Sequence, residues 1–160
     1  MATTNGGLHP YAKDAPAITV ISQYIKDMSF ENPNAPSSVA GTGVAPTINL
    51  EFYVGAQPVT GGDFEVELRI EARAQQQEKL LFSVDLAYAG VFRIRNVPQE
   101  AMQPIILIEC PRMLFPYARQ IVSETTQSGG FPALMVDPVD FTRLYHDRFS
   151  QSQNQPQAQV

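Results

Sequence analysis

Ile18, Val20, Ser22 and Tyr24 alternate with Thr19, Ile21, Gln23 and Ile25, a pattern that predicts a first strand with both faces partly covered. The run Asn32-Pro33-Asn34-Ala35-Pro36 ends it, because the prolines fix φ and lack backbone donors. The Ser- and Gly-rich residues 37–43 then make the break a long connection, not a hairpin. In the second strand Ile48, Leu50, Phe52 and Val54 alternate with Asn49, Glu51 and Tyr53 up to Gly55. Past a Gly61-Gly62 turn comes the clearest period of two in the chain. Phe64, Val66, Leu68, Ile70 and Ala72 share one face; Glu65, Glu67, Arg69, Glu71 and Arg73 share the other. One buried and one wet face is what an antiparallel sheet allows. Residues 79–92 predict a fourth strand with Leu80, Phe82, Val84, Leu86 and Tyr88 on one side. Its other side, Leu81, Ser83, Asp85, Ala87 and Ala89, is apolar enough to suggest cover on both faces.

The period then changes. Asn96 or Val97 followed by Pro98 reads as a helix start, and Pro104, Pro111 and Pro116 divide residues 100–127 into two helices with a break near Pro111. A last helix is predicted from Asp137 as N-cap with Pro138 in the first position; Phe141, Leu144, Tyr145 and Phe149 form its apolar stripe. Strands first and helices second predict an α+β fold, a four-stranded antiparallel sheet followed by two to three helices packed on one face. Residues 1–16 and the Gln-rich residues 150–160 have no period and read as flexible tails around a single domain, residues 17–149. So thin a layer leaves apolar surface uncovered, which points to an oligomer.

Composition narrows the function. The 160 residues carry 11 basic and 16 acidic side chains, net charge -5, with no Lys/Arg cluster to follow nucleic-acid phosphates. Apolar runs such as residues 105–108 fall far short of the roughly 20 residues of a membrane span, and the N-terminus lacks a signal-peptide pattern. The expectation is a cytoplasmic protein that does not insert into membranes. One cysteine, Cys110, and two histidines, His9 and His146, leave no disulfide framework and no set of zinc ligands, so neither a metal nor another cofactor is expected. Cys110 with His146 could in principle form a nucleophile and base, but a buried small hydrophobe is the ordinary reading. Asp137 with Asp140 and Glu65 with Glu67 are explained by capping and by a solvated strand face. The glycine pairs at 6–7, 61–62 and 129–130 carry no lysine for a phosphate cradle.

Two stretches carry a resemblance to a known family: Tyr24-Ile25-Lys26-Asp27-Met28-Ser29-Phe30-Glu31-Asn32-Pro33-Asn34-Ala35-Pro36, and Gly130-Phe131-Pro132-Ala133-Leu134-Met135-Val136-Asp137-Pro138-Val139-Asp140-Phe141. Both resemble the SecB family of protein-export chaperones. Ala89-Gly90-Val91-Phe92 and Leu114-Phe115-Pro116-Tyr117-Ala118-Arg119 fit between them in the same order. The resemblance covers about residues 18–148. It implies a homotetramer, a dimer of dimers, that holds non-native secretory precursors without ATP and delivers them to the motor SecA. It also implies that Asp27, Glu31 and Asp85 meet the basic, zinc-carrying C-terminal tail of SecA. The client groove is expected to use Ile48, Leu50, Phe52, Phe115, Tyr117, Phe131, Leu144 and Tyr145, and the subunit interface Val84, Leu86, Tyr88, Ile105, Ile106 and Ile108. Ser83 stands where the family usually has an apolar residue, and the uncharged tail departs from the acidic tails of relatives. A SecB-like protein of stress or toxin-antitoxin systems and a small hydrolase or isomerase stand as the alternative readings.

Overall fold

The computed structural model describes residues 15–153; the rest of the two expected tails lies outside the described residues. Four antiparallel strands, β1 (Ala17–Glu31), β2 (Thr47–Pro58), β3 (Phe64–Gln76) and β4 (Lys79–Arg95), form one sheet in the order β1-β4-β3-β2. β1 and β2 therefore occupy opposite edges. Residues 32–46 must cross the end of the sheet, three strand spacings or about 14 Å, which is why the connection is long.

β1 extends beyond the predicted strand and contains two irregularities, between Val20 and Ser22 and between Ile25 and Asp27. Each inserts one residue into the ladder. The first turns Ser22 and Tyr24 away from the face of Val20, and the second restores the original phase, so Met28 and Phe30 rejoin Val20 on the face shared with their partners Leu86 and Val84. The simple alternation expected for residues 18–25 is thus broken at Ile21.

The period of two in β3 is realised directly. Val66, Leu68, Ile70, Ala72 and Ala74 are fully buried, in register with Gly90, Tyr88, Leu86, Val84 and Phe82 of β4. Helices cover this face. α1 (Gln99–Pro104) passes through one wide i→i+5 turn over Ile105–Glu109 into α2 (Cys110–Ser128). The break expected near Pro111 is this wide turn: Pro111 has no N–H for the ladder, and one enlarged turn absorbs the loss without reversing the chain. Leu114, Ala118 and Val122 of α2 lie buried in the core beneath it.

The end of α2 is closed by a paired backbone cap. Phe131 N–H donates to the Thr126 carbonyl at 3.2 Å and Gly130 N–H to Gln127 at 3.1 Å, with Gly130 at φ +93. A Cβ on Gly129 would stand 2.3 Å from the Phe30 ring, so glycine there lets β1 and α2 meet. The last helix, α3 (Phe141–Gln153), starts later than predicted and enters the expected tail. Its cap is Asp140, not Asp137: the Arg143 N–H donates to Asp140 Oδ1 at 3.1 Å and the Leu144 N–H to the Asp140 carbonyl at 3.0 Å. Both aspartates precede an apolar stripe, and residues 137–139 lie outside the helix.

Candidate functional site

The two faces of the sheet carry different chemistry. On the open face the register sets Asp85 of β4 opposite Ser29, with Asp27 opposite Ala87 and Glu31 opposite Ser83. Asp27 and Glu31 thus flank Asp85 diagonally, about 7–8 Å away in a ladder of this kind. Acids from two distant parts of the sequence come together. On the other side of Asp85, β3 contributes Glu71, and β2 contributes Glu51 beyond it.

The acids differ in what holds them. Asp85 accepts a two-pronged bond from Arg69, Nε at 2.9 Å and Nη2 at 2.5 Å, and the guanidinium draws its pKa below the usual carboxylate range. Arg69 also meets Glu71 at 3.1 Å. Asp27 and Glu31 are exposed, and among the described residues neither carboxylate has an ion-pair or hydrogen-bond partner. Two open carboxylates beside a half-neutralised one form a face able to attract a cation.

The second irregularity in β1 also builds the polar cluster next to these acids. Lys26 contacts Glu65 at 2.5 Å and Glu67 at 3.7 Å, and the Tyr24 hydroxyl donates to Glu65. The Lys26 and Tyr24 hydrogen bonds pull the Glu65 pKa down, while burial and Glu65 push the Tyr24 phenol up to about 12. This cluster is internally paired, so Asp27 and Glu31 are the accessible acids of the β1 side.

The helix-covered face opens into two apolar clefts along β2. One, of about 360 Å³, lies where the residue 32–46 connection passes the loop after α2; Val39, Val44, Ile48, Leu81, Phe131 and Leu134 line it. Its shape is fixed by side chains that tie down both loops. The buried Thr126 hydroxyl accepts the Leu134 N–H at 2.9 Å, Asn34 Nδ2 donates to the Leu80 carbonyl at 2.7 Å, and Asn32 Nδ2 to the Gly129 carbonyl at 3.2 Å. The other cleft, about 670 Å³, lies between the end of β2 and the run from α1 into the wide turn; Phe64, Met102, Ile106, Leu107 and Arg148 are among its walls. A narrow recess lined by Leu144 and Tyr145 adjoins it at Val54, Leu107 and Arg148.

The expected groove residues divide accordingly. Ile48, 39% exposed, and Phe131, tilted against Phe82 with ring centroids 4.8 Å apart, line the first cleft. Leu50 and Phe52 share the Ile48 face of β2 and are half-buried against the core. Phe115 and Tyr117 do not join them. Phe115 is core, edge-on to Phe141 at 6.0 Å, and Tyr117 is 54% exposed and stacked on Tyr88 near β1. Two helical residues apart means opposite sides, so one groove cannot hold both.

The expected interface residues also need correction. Val84, Leu86, Tyr88 and Ile106 are buried within this one chain, and of that group only Ile105 and Ile108 keep partial exposure. In the sequence β4 had two apolar faces and nothing told which one the chain's own helices cover. Val39 and Val44 were missed because they sit in a connection, and Met102 and Leu107 because a six-residue helix and a wide turn show no period; Arg148 lies on α3 among polar residues.

Cys110 is fully buried at the start of α2, and burial, with Glu109 nearby, pushes its thiol up to about 12. His146 is exposed on α3. Among the described residues no three His, Cys, Asp or Glu side chains gather as metal ligands, and no helix is long and apolar enough to cross a membrane.

Comparison with known proteins agrees with this geometry. The family described as preprotein translocase subunit SecB matches residues 11–152. The chain is 52% identical over 158 residues to the protein-export protein SecB of Xanthobacter autotrophicus, spanning 99% of this chain and 100% of that one. It is 53% identical over 155 residues to that of Azorhizobium caulinodans, 96% of each. Among solved structures, a SecB-like chaperone of Mycobacterium tuberculosis, in complex with a ChAD peptide from the HigA1 antitoxin, shares the fold at TM-score 0.63 and 20% identity, covering 76% of this chain and 90% of that one. An acid-bearing open sheet, a helix-covered face with apolar clefts, and full-length identity above one half place this chain in the SecB family of protein-export chaperones.

Proposed function

We propose that this chain is an ATP-independent holdase of the cytoplasm that keeps secretory precursors non-native and delivers them to SecA. The observation that carries the reading is the pair of apolar clefts along β2, on the sheet face opposite the open acids. Apolar burial is non-directional, at roughly 25 cal/mol per Å², so such clefts accept many sequences. An unfolded chain reaches several of them at once, and the resulting multivalency turns weak contacts into firm holding. A folded protein has withdrawn those segments and is released. On the other face, Asp27, Glu31 and Asp85 dock the basic tail of SecA.

The working unit in this reading is a homotetramer, a dimer of dimers. β1 is a free edge of 15 residues with Ile21, Ile25 and Met28 exposed, and α2 presents Met113 and Tyr117. Such an edge calls for a covering partner. Leu86 and its neighbours would then affect assembly through the helix they support.

The test is to dilute a urea-unfolded precursor into the protein and follow aggregation and mass by light scattering. A complex built on four 17.7 kDa subunits that forms with the unfolded precursor and ignores the folded one is the expected result. Aggregation at the rate seen without the protein would refute the reading.

The reading makes the protein a binder and not an enzyme, and Cys110 gives a direct check. With its thiol held near 12, the thiolate is scarce from pH 6 to 9 and the side chain is enclosed. Iodoacetamide is expected to leave the native protein unlabelled for hours across that range and to label it at once in denaturant. Labelling of native protein that rises through pH 7 would instead mark an accessible, activated thiol.

A further inference from the structure

Arg69 stands in the middle of the open acidic face. In the ladder it faces Ala87 of β4, and Ala87 faces Asp27 of β1. Ala87 is small and buried, which leaves room above it for the guanidinium to reach diagonally to Asp85. Arg69 Nε donates to Asp85 Oδ1 at 2.9 Å and Nη2 to Oδ2 at 2.5 Å, so both carboxylate oxygens are engaged. The same Nη2 lies 3.1 Å from Glu71 Oε1, which puts a second carboxylate within reach of one arm.

Arg73 supplies the comparison. It faces Ser83, and Ser83 faces Glu31, so Arg73 stands to Glu31 as Arg69 stands to Asp27, two strand spacings or about 10 Å away. Both arginines are exposed and lie diagonally to Asp85, on either side of its partner Glu71. Among the described residues Arg73 has no carboxylate within ion-pair distance. As bare charges the two therefore weigh about equally on an arriving cation. Only Arg69 holds the acid that such a cation seeks. The Arg69 and Asp85 side chains keep 45% and 38% of their exposure, so the pair is open to exchange from solvent.

Resting on the docking half of the function proposed above, we propose that Arg69 is a resident competitor of the basic docking partner. Its guanidinium occupies Asp85 in the free chain and shifts to Glu71 when a lysine or arginine of the partner takes its place. Asp27 and Glu31, which have no internal partner among the described residues, make the first contacts, and Asp85 joins by exchange. The competition keeps docking reversible, as a carrier that leaves its client behind requires. A purely structural Arg69 would fasten β3 to β4 and leave docking to the net charge of the face.

Calorimetric titration of the isolated basic tail of SecA into the full chain at low ionic strength separates these roles, with wild type, R69Q, R69K, R73Q, D85N and the pairs of each Arg69 variant with D85N. R73Q is expected to bind the tail about 2-fold more tightly than wild type, the effect of one unit charge about 10 Å away in water. R69Q binds about 5- to 10-fold more tightly, because a two-pronged competitor is removed along with the charge. In the D85N background the gain from R69Q falls to that of R73Q. R69K keeps the charge and loses the fork; its gain is about 2-fold and vanishes in D85N. Thermal melts accompany each titration, and R69K decides the question if R69Q does not melt cooperatively. An R69Q gain equal to that of R73Q, or an Arg69 gain that survives D85N in full, overturns the proposal. A tail that does not bind wild type at all overturns the docking reading as well, whereas binding with equal gains overturns only the role of Arg69.

Discussion

Leu68→Asp is expected to abolish the cooperative melting of this chain. Leu68 lies at the middle of β3, fully buried, in register with Val54 of β2 and Tyr88 of β4 and covered by the helical layer. Removing a buried leucine side chain costs about 2–5 kcal/mol, and an unpaired carboxylate in its place costs several more. The net stability of a domain is only about 5–15 kcal/mol, so the combined loss reaches its scale. The control is Arg73→Gln, on the wet face of the same strand, where a change of about 0.5 kcal/mol or less is expected. Far-ultraviolet circular dichroism against temperature reads both. A Leu68→Asp melt within a few degrees of wild type would mean that the helix-covered face is not the folding core.

The same strand shows why part of the fold was legible in the sequence. In β3 each even position from Val66 to Ala74 is buried and each odd one from Glu65 to Arg73 bears charge, so the period of two marked strand and wet face together. β4 was harder, because its open face also holds the buried Ala87 and Ala89. Their smallness lets Tyr24 and Arg69 lie across that face from neighbouring strands, a tertiary fact with no local signature. The bulges in β1 are likewise set by pairing with β4, and the late start of α3 by packing of Phe141 beneath Phe115. Local propensity pointed to Asp137 as the cap, and the helix begins instead behind Asp140, at the buried Phe141.

The candidate site divides in the same way. Asp27, Glu31 and Asp85 were found through resemblance to a family, and the register sets them side by side on one face. The clefts were only half legible. Ile48 announces itself by strand alternation, whereas the opposing wall comes from a long connection, a capped helix end and a wide turn, where no residue period exists to be read. Arg148 was invisible for a simpler reason: on a helix ending in polar residues, a lone arginine looks solvated until the edge of β2 is placed beside it.

Replacing Asp27 and Glu31 together by Lys is expected to weaken binding of SecA, or of its isolated basic tail, by about 100-fold or more at low ionic strength. Each replacement moves the local charge by two units, within about one Debye length of the docking cations. Electrostatic complementarity of this kind acts mainly on the encounter rate, so the association rate falls more than the dissociation rate rises. Both side chains are exposed and without partners among the described residues, so the melting temperature and client holding stay at wild-type values. Asp85→Asn gives a smaller loss, because it changes the local charge by one unit, against two at each reversed acid, and Arg69 already compensates much of the Asp85 charge. Taken per unit of charge changed, Asp27 and Glu31 count for more than Asp85 on a docking face, whereas on a generally acidic surface all three acids count alike. Raising salt weakens wild type toward the double variant and changes the variant little. Unchanged SecA affinity of the double variant at low salt would place the docking face elsewhere on the molecule.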